Sequence, residues 1–494
     1  MKNLSSIVIL PLLCSLLQGQ SFYKTSYSLQ SDEDFFSGGL YGNGIVDLAV
    51  KDSVLWAATG YGLSKAVFNT AADTWEWKSY RTEQYGGKGG VTALGWMDES
   101  TLWIATAFDT TIREGSDEAA DLPAGSGLSY TRDGGASWTH VPQPVDPKEI
   151  IDYSPTTTVV QNLIYDIAFI DSTIWIASFG GGLRRSDDMG KSWQVVTTDS
   201  LIFSSGLHLN HRAFSLLNAN DTLWAGTADG ISKSPDNGLT WEQFKFSASD
   251  DQTISGNFVT ALAYNESMNT VWAATMEAEN EAHRRGLSRS SDGGRTWERL
   301  LLDEQIFSYN FAFDGSKVFA ASDKGLYYSD DNGENWEVIT ALQDYDSGNE
   351  IFHEGYYSAA VQHQLPFNRL WLGSSDGLAA ALMDGDLDSR EWKIFRSYVS
   401  IKQRPKPRVY AYPSPFSPER HLYVRFVYDE DKTLNGPIEI YDFAMDKVAS
   451  ISADELKPKW DGRNLNGDIT ASGVYFFRAK TGGKVTWGKI VIIN

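Results

Sequence analysis

AFSLLNANDTLWAGTADGISKSPDNGLTWEQF, Ala213 to Phe244, is the stretch whose reading decides the fold. Phe214 to Asn218 alternates into a first strand, Asn220-Asp221 makes a tight turn, and Leu223 to Thr227 gives a second strand of small residues around one Trp. Gly230 to Ser234 forms a third strand, Pro235 to Thr240 turns, and Trp241 to Phe244 closes the unit. Short strands bounded by Gly, Asn and Asp predict a four-stranded meander. The second-strand phrase recurs as LWAAT at Leu55, LWIAT at Leu102, IWIAS at Ile174, VWAAT at Val271, VFAAS at Val318 and LWLGS at Leu370. The aromatic positions Trp56, Trp103, Trp175, Trp224, Trp272, Phe319 and Trp371 lie 47, 72, 49, 48, 47 and 52 residues apart, a period with one insertion. A unit this small buries no core alone, so neighbours must stack, and all-β units of this length close into a propeller. Seven copies predict seven blades over residues 44–396, in an all-β chain.

Between the third and fourth strands a second phrase recurs with the spacing Ser/Thr-x-Asp-x-Gly-x-x-Trp: TRDGGASW from Thr131, SDDMGKSW from Ser186, SPDNGLTW from Ser234, SSDGGRTW from Ser290 and SDDNGENW from Ser329. The Asp accepts turn N–H groups, the Gly takes a backbone conformation that a side chain forbids, and the Trp anchors the turn. Asp133, Asp188, Asp236, Asp292 and Asp331 are therefore read as structural. The first and seventh units have lost the phrase, keeping Trp75 or Trp77 and Trp392. This pattern resembles the Asp-box repeat of sialidase-type propellers, where the boxes lie away from the active site. The Trp-x-Ala/Gly-Thr/Ser phrase is also similar to propeller repeats of bacterial two-component sensor ectodomains. Propellers host enzymes, receptors and scaffolds alike, so these likenesses imply fold more than function.

The ends carry their own signals. Residues 1–20 hold Lys2 and a short apolar run through Leu13, which reads as a secretory signal peptide, and residues 21–43 as an N-terminal strap. The single cysteine, Cys14, falls in that leader, so the core must form without disulfides. The formal net charge of -22 repels phosphate backbones and excludes nucleic acid as a partner, and no later run has the length of a transmembrane segment. Residues 397–408 read as a basic, proline-interrupted linker. Residues 409–494 alternate hydrophobics between Asn-Gly and Gly-Gly turns, which predicts a small Ig-like β-sandwich. From Tyr412-Pro413-Ser414-Pro415-Phe416 through Trp460-Asp461-Gly462 and Ser472-Gly473-Val474-Tyr475-Phe476, its phrase order resembles the C-terminal sorting domain of type IX secretion cargo, related to the Ig-like domain of flagellar hook-capping proteins. The resemblance implies type IX secretion machinery as a partner and a secreted or outer-membrane surface location.

Loop lengths point to a working face. Turns between first and second strands and at the boxes are short, whereas 107–126, 140–162, 197–210, 247–257, 276–285 and 340–357 are long and fall at the opposite edge of a meander. There the candidates for a glycan or protein ligand are Arg113, Tyr153, His211, Arg212, Glu277, Arg284, Arg285, Tyr309, His353, Tyr356 and Tyr357, with His208, His283 and Glu354 beside them. No catalytic residue, metal site or cofactor is expected. The Phe-Arg-Ile-Pro motif of sialidases is absent, and ATGYG at Ala58 lacks the carboxylate that xyloglucan-type endo-glucanases carry in a comparable phrase. DGDLDS at Asp384 imitates a calcium loop but lacks its turn Gly and bidentate Glu, and reads as a decayed seventh box. A glycoside hydrolase with a non-standard site and a structural surface protein stand as alternatives.

Overall fold

A computed structural model describes residues 39–493 except 70–73, 113–119, 147–156, 278–283, 345–349, 352–354, 365–366, 384–391, 398–408, 419–422, 428–433, 435, 453–457 and 482–483. The leader, most of the strap, the linker apart from Ser397 and the 384–389 stretch therefore lie outside the described residues. The chain divides into two compact units, Met1–Tyr398 and Val399–Asn494.

The first unit is an all-β propeller of four-stranded antiparallel sheets, each a meander in chain order. Seven such sheets are present among the described residues, and their first strands are Ile45–Lys51, Gly90–Trp96, Ile164–Ile170, Ala213–Ala219, Phe258–Asn265, Ser308–Asp314 and Tyr356–Gln364. Each first strand packs against the first strand of the next sheet, and Tyr356–Gln364 packs against Ile45–Lys51. The second-strand residues of the template, Thr222–Thr227, are buried except for their first. Small residues there let sheets approach, and the Trp fills the space that opens outward. Trp56, Trp103, Trp175, Trp224, Trp272 and Trp371 are all fully buried. Trp175, Trp224 and Trp272 each meet the box Trp of the following sheet edge to face, at 6.1 to 6.3 Å.

The box turns show one bonding pattern. In the fourth sheet Ser234 Oγ donates to Asp236 and accepts the Gly238 N–H at 2.7 Å, while Asp236 accepts the Thr240 N–H at 2.8 Å and its hydroxyl at 2.6 Å. Gly238 has φ +87, and a Cβ there would stand 2.5 Å from Trp175. Hydrogen bonds from Ser192 and from Asn335 hold the carboxyls of Asp188 and Asp331 down to about 2. A cation on the third strand ties each of four boxes to the preceding sheet. Lys65, Arg185 and Lys233 donate to the carbonyls of Gly134, Asn237 and Gly293 at 2.8 to 3.0 Å, and Arg289 to that of Asn332. Each lies over the buried second-strand Trp of its own sheet.

The seam between seventh and first sheets has no box and closes with aromatics instead. Trp75 meets Trp371 at 4.8 Å and Trp77 meets Phe395 at 5.3 Å. Gln362 Nε2 donates to the Asp52 carbonyl and the Ser397 N–H donates to Asn43, so the two ends of the unit are also hydrogen-bonded.

The second unit packs a three-stranded sheet, containing Tyr410–Tyr412 and Val424–Val427, onto a four-stranded sheet of Ile438–Tyr441, Lys447–Ile451, Gly473–Thr481 and Lys484–Ile492. All pairs are antiparallel. Phe416, Val424, Ile438, Ile440, Phe477 and Ile490 form the shared core. Phe443, Met445 and Trp487 stand exposed on the four-stranded sheet or its edge.

Candidate functional site

Every first strand carries one β-bulge near its start, the end where the connection from the preceding sheet arrives. The extra residues are Val46, Thr92, Tyr165, Phe214, Thr260, Tyr309 and Tyr357. A bulge turns its side chain out of the strand's alternation. Because first strands neighbour one another around the axis, the seven positions form a ring on the long-connection face. Four are aromatic, in two arcs. Tyr309 meets Tyr357 at 5.0 Å and Phe307 at 4.5 Å, both edge to face. Across the ring Phe214 lies 5.6 Å from Tyr165 and 4.7 Å from Phe258.

Each arc has a guanidinium. Arg285 stands 3.7 Å from Asp323, whose other oxygen accepts the Phe307 N–H at 2.8 Å, and the buried Arg285 Nε has no hydrogen-bond partner among the described residues. Burial, with Tyr357 and Asp323 nearby, raises the Tyr309 phenol above its ordinary range, and burial likewise raises Tyr357. Both rings are therefore neutral hydrogen-bonding groups at any physiological pH. In the other arc the Arg212 guanidinium lies over Phe179 at 5.1 Å, and its Nε donates to the Ser205 carbonyl at 2.6 Å.

Side-chain oxygens behind the ring brace it. Asp47 accepts the Leu94 N–H at 3.0 Å, Asp166 the Leu216 N–H at 2.9 Å, and Asn310 Oδ1 the Ala359 N–H at 3.0 Å, each reaching the next first strand. Asp109 and Asp121 interact on the second sheet's hairpin, where burial and then Asp121 raise the Asp109 carboxyl. Thr111 Oγ1 donates to Asp121 at 2.6 Å. That hairpin is paired strand rather than open loop: Leu102–Ile112 and Ala120–Thr131 run antiparallel well beyond the sheet, which revises the reading of 107–126 as a connection.

Of the sequence candidates, Arg285, Tyr309 and Tyr357 come together. Arg284 and Glu277 are exposed on the same rim. His211 is buried, accepting the Ser204 N–H at Nδ1 and pairing through Nε2 with Asp199 at 3.0 Å, so it holds its loop. His208 lies 4.9 Å from it. Arg212 is buried at the loop base, and Tyr356 is wholly buried in the core between the sixth and seventh sheets. Arg113, Tyr153, His283, His353 and Glu354 lie outside the described residues. Sequence reading passed over Tyr165, Phe214, Phe307 and Asp323. For Tyr165 and Phe214 the signal was an aromatic at one phase of the third, fourth, sixth and seventh first strands, in IYD, AFS, SYN and YYS. No group of three metal-ligating side chains and no helix long and apolar enough to cross a membrane occurs among the described residues.

The BNR/Asp-box repeat model matches residues 327–338, the box of the sixth sheet. No curated protein matches the sequence. Among solved structures, the GH74 xyloglucanase from Xanthomonas campestris aligns over 92% of this chain and 68% of its own, at 13% identity and a TM-score of 0.51. That likeness shows the fold alone. PorZ, described as a surface component of the type IX secretion system of Porphyromonas gingivalis, aligns over 91% of this chain at 14% identity and a TM-score of 0.37. The extracellular domain of the putative hybrid two-component system BT4673 from B. thetaiotaomicron aligns over 93% at 13% identity and a TM-score of 0.46. This chain spans 66% of the length of PorZ and 58% of the BT4673 domain.

Proposed function

We propose that residues 44–396 form a seven-bladed propeller that binds a glycan or protein ligand on its long-connection face and catalyses nothing. The observation that carries this reading is the bulge ring, which sets Tyr309, Tyr357 and Phe307 beside Arg285 on the face that bears the long connections. Aromatic faces with one loosely paired guanidinium suit recognition of a polar, ring-bearing or main-chain ligand. In the same reading, residues 1–20 are a signal peptide, 21–43 a strap, 397–408 a linker, and 409–494 an Ig-like sorting domain that takes the chain to the cell surface or medium through type IX machinery. The phrase order from Tyr412 and the two-sheet core of the second unit support that assignment.

A glycan array with a parallel hydrolysis screen on the purified full chain tests the proposal. Binding that falls at least tenfold in Arg285→Met or Tyr309→Ala, with no turnover, supports it. The hydrolase alternative has one specific observation in its favour, the raised carboxyl of Asp109 beside Asp121. Hydrolysis abolished by Asp109→Asn would establish that alternative in place of the binding reading.

A further inference from the structure

Ten large hydrophobic side chains of the first unit stand exposed among the described residues, and six of them sit on two neighbouring connections. Val145 and Val159 lie on the connection into the third sheet, and Leu201, Ile202, Leu207 and Leu209 on the connection out of it. Leu207 is 79% exposed and Ile202 67%. The two connections meet at one carbonyl, since Thr157 Oγ1 and Ser205 Oγ both donate to Gly180 O at 3.4 Å. The other four exposed side chains, Leu239, Met268, Val338 and Leu382, are dispersed over the fourth to seventh sheets.

Beneath these apolar tips the described parts of the two connections are held by buried polar contacts. Arg184 and Asp146 form an ion pair at 2.7 Å, both side chains buried, and Asp146 also accepts the Thr157 N–H at 2.7 Å. On the second connection Asp199 takes the Leu201 N–H, the Asn210 amide and His211 Nε2, while Phe203 stacks on His211 at 5.6 Å. Burying charge and polar groups costs stability unless each is bonded. Here that arrangement fixes a loop in which Phe203 is buried but Leu201, Ile202, Leu207 and Leu209 are left exposed.

We infer that this surface, above the second to fourth sheets, docks into an apolar, basic-rimmed cleft on a different protein. The inference rests on the long-connection face being the working face and narrows its partner there to protein. Aliphatic side chains offer no hydrogen bonds to a sugar, and contiguous exposed apolar patches mark association sites. Residues 1–398 carry 27 Lys and Arg against 53 Asp and Glu, so a second copy and an anionic bilayer are both repelled. Six side chains expose on the order of a few hundred Å², below the ~800 Å² per partner of a stable interface between two such faces, so a cleft that encloses them fits better.

The test places p-benzoylphenylalanine at Leu207, and in a control at Leu239, which is 78% exposed on the box turn of the fourth sheet. Each full-length variant is irradiated in cells that naturally make the protein. The captured species is identified, purified and titrated against the full chain and its Leu207→Asp, Leu207→Ala and Leu239→Asp variants. One protein adduct from position 207, none from 239, and affinity about tenfold or more weaker in Leu207→Asp but within twofold in Leu239→Asp is the expected result. No adduct, an adduct to the chain itself, or a captured protein indifferent to Leu207→Asp overturns the inference. So does cosedimentation with phosphatidylethanolamine–phosphatidylglycerol vesicles that Leu207→Asp abolishes. If Arg285→Met and Tyr309→Ala weaken the partner while Leu207→Asp does not, the working face stands and only the apolar docking falls. If none of them matters, both fall.

Discussion

The two faces of the propeller are built by opposite rules. On the box face, short turns point polar groups outward, and each carboxylate is satisfied by the turn's own N–H and hydroxyl groups within four residues. On the long-connection face, Asp47, Asp166 and the buried His211 bond inward, with partners up to fifty residues away, while Tyr309 and Tyr357 are half-buried and aliphatic side chains such as Leu207 face out. A face held by local bonds repeats from sheet to sheet. One held by long-range bonds is free to differ in each sector, and that freedom is what a recognition surface needs.

The largest expected effect breaks the base of the long-connection face. Arg184→Met leaves Asp146 buried and unpaired, and urea unfolding should show a loss of about 3–5 kcal/mol. A loss under 1 kcal/mol would mean that the pair is dispensable. On the box face, Gly238→Ala forces a Cβ into Trp175 at positive φ and should cost about 1–3 kcal/mol while leaving ligand affinity unchanged. Reduced affinity without reduced stability would reverse the structural reading of the boxes.

Acid should separate the faces without any mutation. Burial lowers the His211 pKa in the folded state, outweighing the raising effect of Asp199, and His208 adds to the lowering. The folded state therefore disfavours its protonation, so this contribution is complete above the unfolded value of about 6.5 and declines as pH falls below it. Asp188 and Asp331 are depressed to about 2, so their contribution is complete above the unfolded value of about 3.9 and declines only as pH falls toward 2. Hydrogen exchange across a pH series should loosen 197–212 first and the box turns afterwards. Simultaneous loosening would contradict the separation. The smallest effect on the propeller should come from deleting 409–494: its melting temperature should stay within about 2 °C, because the second unit has its own core. In the native host the truncated chain should accumulate in the periplasm, and equal surface or medium levels for both chains would remove the sorting role.

What could be read in the sequence follows the same division. The strand order of Ala213–Phe244, the buried Trp or Phe319 of each second strand and the box phrases are local patterns, and a period of about 48 residues exposes them. The cations over the Trp rings were equally local, as GLSK, GLRR, GISK and GLSR, yet their meaning depends on the neighbouring sheet's carbonyl. The ring at Tyr309 and Tyr357 depends on bulges, and a bulge exists only relative to a partner strand's register. His211 and Tyr356 have the chemistry of ligand-binding residues, but burial is decided by packing between sheets. Their residue types alone did not reveal it.

The most direct test of the central claim is a hydrogen-exchange footprint of the full chain with the first ligand or partner shown to bind it. Protection confined to the long-connection face, over Thr197–Arg212 or over Arg285, Phe307–Tyr309 and Tyr357, is the predicted result. Protection of the box turns at Asp133, Asp188, Asp236, Asp292 and Asp331, with that face unchanged, would contradict it.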